Sequence, residues 1–181
     1  MGLSAKHIRL VKGEPEEQLP ANASFDDCFR KFHRLVGTIG LRMLGHRADV
    51  DDFVQDVFLE VHKSYHTLRD RSAAKAWIRA IAVRVAIRRL RRRRLKAMIG
   101  LDEPIEPGPF PVDSNQEQAA LVGEVYRVLE TVPAKARVVW VLRYVEGEKL
   151  EDIAEVAGMG LTTVKRHLAV AMARLHEVFD A

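Results

Sequence analysis

Between Arg69 and Lys96 the chain carries twelve lysines and arginines against a single acid, Asp70. A block of that sign repels itself unless an anion lies beside it, and a phosphate backbone is the anion that suits a contiguous basic run. Two smaller clusters have the residue types of a metal site. Asp49, Asp51, Asp52 and Asp56 could hold a divalent cation, and His62 and His66 stand one helical turn apart, as transition-metal ligands do. Neither set is completed by a further ligand, no Glu follows His62 in the manner of zinc proteases, and no glycine-rich phosphate loop occurs. No enzyme activity, catalytic residue, metal or cofactor is therefore expected. The chemistry on offer is the binding of nucleic acid.

The remaining charge is segregated as sharply. Residues 97–124 hold six acids and no Lys or Arg, interleaved with Gly100, Pro104, Pro107, Gly108, Pro109 and Pro111. Proline keeps such a segment extended and like charges stretch it, so residues 97–118 read as an acidic linker. The 181 residues are 48% hydrophobic, enough to bury a core on either side of that linker. Aromatic content of 7%, with 11 Gly and 7 Pro, argues against an all-β domain that turns every ten residues. Cys28 is the only cysteine, which excludes an internal disulfide and a cysteine-based zinc site. No apolar run approaches the ~18 residues that cross a bilayer, and no secretory signal opens the chain. A cytoplasmic protein without membrane insertion is expected.

Helical spacing then accounts for both flanks, so the fold class is all-α. Residues 1–23 lack periodicity and read as a flexible leader. Ser24 and Asp27 have the spacing of a capping box, and Phe25, Phe29, Phe32, Val36, Ile39 and Met43 make one apolar face that Gly45 ends. Val50, Phe53, Val54, Val57, Phe58, Val61 and Tyr65 form the next, with Asp52, Gln55 and Asp56 as a polar stripe opposite. Ser72 is placed to cap a third helix. Its inner side would carry Trp77, Ile78, Ile81, Ala82 and Val85, before it dissolves in Arg91–Arg94. Beyond the linker, Leu121 to Leu129 is again helical. Val138–Leu142 has strand propensity, but reads as helix because no second strand could pair with it. Finally Leu150–Ala157, the turn Gly158-Met159-Gly160, and Leu161–Phe179 have the layout of a helix-turn-helix.

Four stretches in this order resemble a known family: Ala48–Phe58, Ala76–Ala82, Leu142–Gly147, and Asp152–Glu155 through Thr163–Lys165. The chain is similar to bacterial RNA polymerase sigma factors of the extracytoplasmic-function subgroup. The resemblance implies a region-2 domain at 24–96 and a region-4 domain at 119–181, one on each side of the linker. It further implies an alternative sigma factor that guides core RNA polymerase to promoters, recognises minus-ten and minus-35 elements, and helps melt the start region. Its partners would be the β′ clamp helices and β flap of the core enzyme, promoter DNA, and an anti-sigma factor.

Roles follow for individual residues. Asp52, Gln55, Asp56 and Leu59 correspond to the surface that docks on the clamp helices; without the family likeness the stripe would equally suit a solvated helix face. Leu68, Arg69, Asp70, Arg71 and Ser72, with Arg84 and Arg88, correspond to the element that captures the minus-ten strand. Trp77 fits a core position better than a stacking platform. Arg84 departs from the family, which usually has Asn there, so its minus-ten preference does not carry over. Thr162, Thr163 and His167 would hold phosphates. Lys165, Arg166, Ala169 and Val170 would face the minus-35 bases, though the basic pair could instead make phosphate contacts only. Lys149 stands where the family often has a Ser or Thr cap. The rival reading is a helix-turn-helix regulator that binds DNA without core polymerase.

Overall fold

A computed structural model describes residues 19–20, 22–101 and 116–180. The leader before Leu19 and residues 102–115 of the linker lie outside the described residues.

The first module is built by three helices, α1 (Phe25–Leu44), α2 (Val50–Ser64) and α3 (Ala74–Met98). α1 starts where its sequence says it should. Ser24 Oγ accepts from the Asp27 N–H at 3.2 Å, and the Asp27 carboxylate accepts from the Ser24 N–H at 2.9 Å. This reciprocal box satisfies donors that a helix start leaves orphaned. The Ser24 contacts also hold the Asp27 carboxyl below the usual carboxylate range. α1 ends at Gly45, whose φ of 79° is the left-handed conformation glycine takes without penalty. The packed chain reaches back past Ser24: Leu19 and Ala23 are buried, and the Tyr65 hydroxyl donates to the carbonyls of Ala23 and Ser24 at 2.8 and 2.9 Å.

Phe32, Val36, Ile39 and Met43 of α1 meet Phe53, Val57 and Val61 of α2 and Ile78, Ile81 and Val85 of α3 in one core. Trp77 is partly buried against it. At Gly40 α1 lies tight against α2: an added Cβ would stand 2.5 Å from the fully buried Phe53 ring. Cys28 is sealed in the same core, and burial pushes its thiol up to about 11. Phe29, expected on the inner face, is instead 41% exposed, with its ring 4.7 Å from Phe58 and stacked on His33.

Two local expectations give way to other residues. The chain enters α3 through single 3₁₀ turns at Tyr65–Thr67 and Arg71–Ala73, and the second turn is capped by Asp70, which accepts from the Ser72 N–H at 2.9 Å. Ser72 therefore sits inside the turn rather than capping the helix. α3 also continues through the arginine run to Met98. Arginine is a good helix former, and Arg88, Arg89 and Arg93 each face a carboxylate that offsets the repulsion.

The second module comprises α4 (Gln116–Thr131), α5 (Ala134–Tyr144), α6 (Leu150–Val156) and α7 (Leu161–Phe179). Val138–Leu142 is helical and buried, within α5. Pro133, which has no N–H to lose, stands at the start of that helix. Between α6 and α7, Gly158 takes a φ of 60° and Gly160 opens the last helix in extended conformation. Ile153 and Val164, both fully buried, close the corner. The described residues contain helices and turns and no strand.

Candidate polymerase and nucleic-acid interfaces

On the outer face of α2, Asp52, Gln55 and Leu59 are exposed, while Phe53, Val57 and Phe58 face the core. Asp56 shares the stripe but is already engaged: Arg89 Nε of α3 donates to its carboxylate at 2.7 Å, and Arg89 Nη2 donates to the Asp52 carbonyl at 2.9 Å. One arginine thus fastens the acidic face of α2 to α3. Sequence spacing could not pair residues 33 positions apart.

The loop before α3 is prebuilt rather than loose. Asp70 accepts from both the N–H and the hydroxyl of Ser72, at 2.9 and 2.6 Å, and these bonds hold its carboxyl below the usual range. The Arg71 guanidinium lies 4.0 Å over the Tyr65 ring and donates to the Tyr65 carbonyl. Leu68 is turned into the core, whereas Arg69 and Ser72 remain exposed. Tyr65 reads in the sequence only as the last apolar position of α2; its ring and hydroxyl in fact brace the loop and the entry to α1. Arg84 and Arg88 project from α3 into solvent, Arg88 within 3.5 Å of Glu60.

In α7 the division between faces is clean. Val164, Ala171 and Leu175 are buried and Leu168 packs against the core, while Thr162, Lys165, Arg166, Ala169 and Val170 are exposed. Thr163 and His167 lie at the boundary. Burial, then the cations Lys135, Arg166 and Arg91, push the His167 imidazole below its ordinary value. These neighbours favour the neutral imidazole in the free chain, and its proton is gained only as pH falls through that lowered value. A phosphate set against it would favour the charged form and move the midpoint upward. Promoter affinity of the polymerase holoenzyme should therefore rise as pH falls through that range, and His167→Gln should flatten the profile; a parent profile no steeper than that of the variant would take His167 off the DNA.

The comparisons with known proteins fall on this geometry. The family described as Sigma-70 region 2 matches residues 28–96, and that described as Sigma-70, region 4 matches residues 123–175. The chain is 32% identical to the RNA polymerase sigma factor SigV of Bacillus subtilis over 124 residues, 68% of this chain and 72% of SigV. It is 29% identical to the ECF RNA polymerase sigma factor SigM of Mycobacterium tuberculosis over 152 residues, 84% of this chain and 75% of SigM. The chain belongs to the extracytoplasmic-function sigma factors. As a sigma factor it is not an enzyme: it directs RNA polymerase to promoters. Its fold agrees with that of the sigma factor RpoE of Bartonella quintana, solved in complex with the anti-sigma factor NepR. The TM-score is 0.62 at 19% identity, covering 87% of this sigma factor and 97% of RpoE. No helix among the described residues is long and apolar enough to cross a membrane.

Proposed function

We propose that this sigma factor divides its work between residues 24–96 and 119–181, joined by the linker 97–118. Residues 24–96 grip core polymerase and the minus-ten element, and residues 119–181 read the minus-35 element while meeting the β flap. The observation that carries the reading is the partition of α7: its apolar residues are consumed by the core, and the residues expected on DNA are the ones left accessible. A helix of this kind presents its amino-terminal half to a major groove, where Lys165 and Arg166 can donate to guanine edges and Ala169 or Val170 can meet thymine methyls. Thr162 and Thr163 suit phosphate contacts at the helix start.

Asp52, Gln55 and Leu59, with Asp56 held by Arg89, suit the clamp helices of β′: carboxylates on a firm helix face give charge-assisted bonds to a basic partner. The loop of Leu68, Arg69, Asp70, Arg71 and Ser72, with Arg84 and Arg88, suits the minus-ten strand. Cations there can follow phosphates, and contacts to unstacked bases offset the few kcal/mol of unpairing. An anti-sigma factor is the regulatory partner that the family implies, and RpoE has been captured with one. A chain that works on core polymerase belongs in the cytoplasm.

The test is a gel shift on promoter duplex with and without core polymerase, alongside direct core binding by the Asp52→Ala/Gln55→Ala variant. Promoter binding should require core, and the variant should bind core at least tenfold more weakly with its helicity intact. Asp56 is left alone because its loss would also unfasten α3. Binding of duplex by the chain alone would favour a regulator that acts without polymerase. Unchanged core affinity would remove the stripe from the docking surface.

A further inference from the structure

Tyr65 touches two parts of the first module that the sequence keeps far apart. Its hydroxyl donates to the carbonyls of Ala23 and Ser24, 42 and 41 positions away, at 2.8 and 2.9 Å. Burial pushes that phenol above its ordinary value, so it keeps the proton it donates throughout the neutral range. The lead-in to α1 that it holds is itself seated. Leu19 and Ala23 are buried, and the Ala23 N–H donates to the Pro20 carbonyl at 3.0 Å. The ring of Phe25, the first residue of α1, stands edge-on to that of Tyr65 with centroids 5.9 Å apart.

At the other end of the contact is the loop. The Arg71 guanidinium lies 4.0 Å over the Tyr65 ring, and its Nη1 donates to the Tyr65 carbonyl at 3.4 Å. The same carbonyl accepts from the N–H of Leu68, a buried residue, at 3.2 Å. Arg88, Arg89 and Arg93 each face a carboxylate, whereas Arg71 is held by an aromatic ring and a carbonyl. That difference decides what Arg71 can do. A ring face fixes a guanidinium in place without neutralising it, and the planar fork keeps donors for a phosphate. Arg71 is thus a cation set in position before any ligand arrives. Its place depends on the Tyr65 ring, and the ring is fixed in turn by the lead-in to α1.

We propose that Tyr65 is a positioning residue for minus-ten capture, and that the lead-in around Leu19 and Ala23 belongs to the DNA-reading apparatus through it. The proposal rests on the assignment of Arg69, Asp70, Arg71 and Ser72 to the minus-ten strand. Ordering a long side chain in advance removes part of the entropy cost of binding, and this is what Tyr65 supplies to Arg71. Lifting Leu19 off the module would therefore loosen the loop without touching it.

The link is tested first on the free full-length chain, by hydrogen exchange. Tyr65→Leu and, from the far end, Leu19→Asp should each speed exchange at the amides of Leu68, Ser72 and Ala73 about tenfold. Val57 and Ile81, in the core, should keep the parent rate. Tyr65→Phe retains a ring beneath Arg71 and drops only the hydroxyl bonds, so its increase should be smaller, about threefold. Holoenzyme reconstituted with each chain is then titrated with fork DNA whose minus-ten non-template strand is single. Tyr65→Leu should weaken this binding about tenfold and Tyr65→Phe about threefold, with core affinity within about twofold of the parent. In an Arg71→Ala chain, already weakened, adding Tyr65→Leu should cost less than about twofold more.

A tyrosine that merely stabilised the fold would not show that coupling: its loss would add to that of Arg71 and lower core affinity in parallel. Loop amides that exchange at the parent rate in Tyr65→Leu, or fork losses that add in full, would overturn the positioning role and leave the minus-ten assignment standing. An Arg71→Ala holoenzyme that captures the fork like the parent would strike the minus-ten assignment and the proposal with it. The exchange rates, read without DNA, tell the two failures apart.

Discussion

Polymerase loaded with the Lys165→Ala/Arg166→Ala variant is expected to lose at least thirtyfold in affinity for promoters with an intact minus-35 element. Both side chains are exposed on α7, whereas Val164, Ala171 and Leu175, which hold that helix in place, are untouched. The loss is therefore one of contact and not of fold. A good side-chain pairing with a base is worth about 1–3 kcal/mol, and about 1.4 kcal/mol is tenfold in affinity, so two such losses reach the stated size. The form of the loss separates the two chemistries open to these residues. Base readout predicts that matched and mismatched minus-35 sequences become alike. Phosphate contact predicts a uniform weakening and a salt dependence shallower by about 0.9 per contact removed. Fluorescence anisotropy with matched and mismatched duplexes at several salt concentrations measures both. Affinity within threefold of the parent on every duplex would take the pair off the recognition surface.

A second large effect is expected inside the first module. Gly40→Val should lower its stability by about 1–3 kcal/mol, the usual range for forcing extra carbons into a filled core. The Cβ alone would fall 2.5 Å from the Phe53 ring, and that ring is fully buried. In a domain of 60–100 residues each kcal/mol corresponds to roughly 4–8 °C in melting temperature, so the shift is readily seen by calorimetry. Phe53→Leu in the same chain should return part of it by shrinking the obstructing group. Because α2 carries the polar stripe on its far side, core polymerase binding should weaken in step with unfolding. A Gly40→Val chain that melts like the parent would mean that α1 and α2 do not approach as described.

Much of this was legible in the sequence, and the reason is that the legible parts are local. Ser24 and Asp27 are three residues apart, so a capping box can be read directly. Gly45 and Gly158 announce the ends of α1 and α6 because their positive φ suits glycine. The partition of α7 follows from spacing alone. What escaped is what depends on distant partners. Arg137 looks like the solvated residue of an amphipathic helix, and nothing in its neighbourhood reveals that it is buried on carbonyls 93 and 94 positions away. Asp56 looks as free as Asp52 until Arg89 is seen beside it. The length of α3 was hidden for a related reason: a run of like charges suggests fraying unless the carboxylates that face it are known.

The sealed sulfhydryl at Cys28 gives this sigma factor an intrinsic gauge of breathing. With the thiol pushed up to about 11, only on the order of one molecule in ten thousand carries the reactive anion at neutral pH, even before the surrounding side chains bar access. Alkylation at this position must therefore wait for α1 to lift from its neighbours. Its rate, followed by mass spectrometry with no label added, reports how often the first module comes apart.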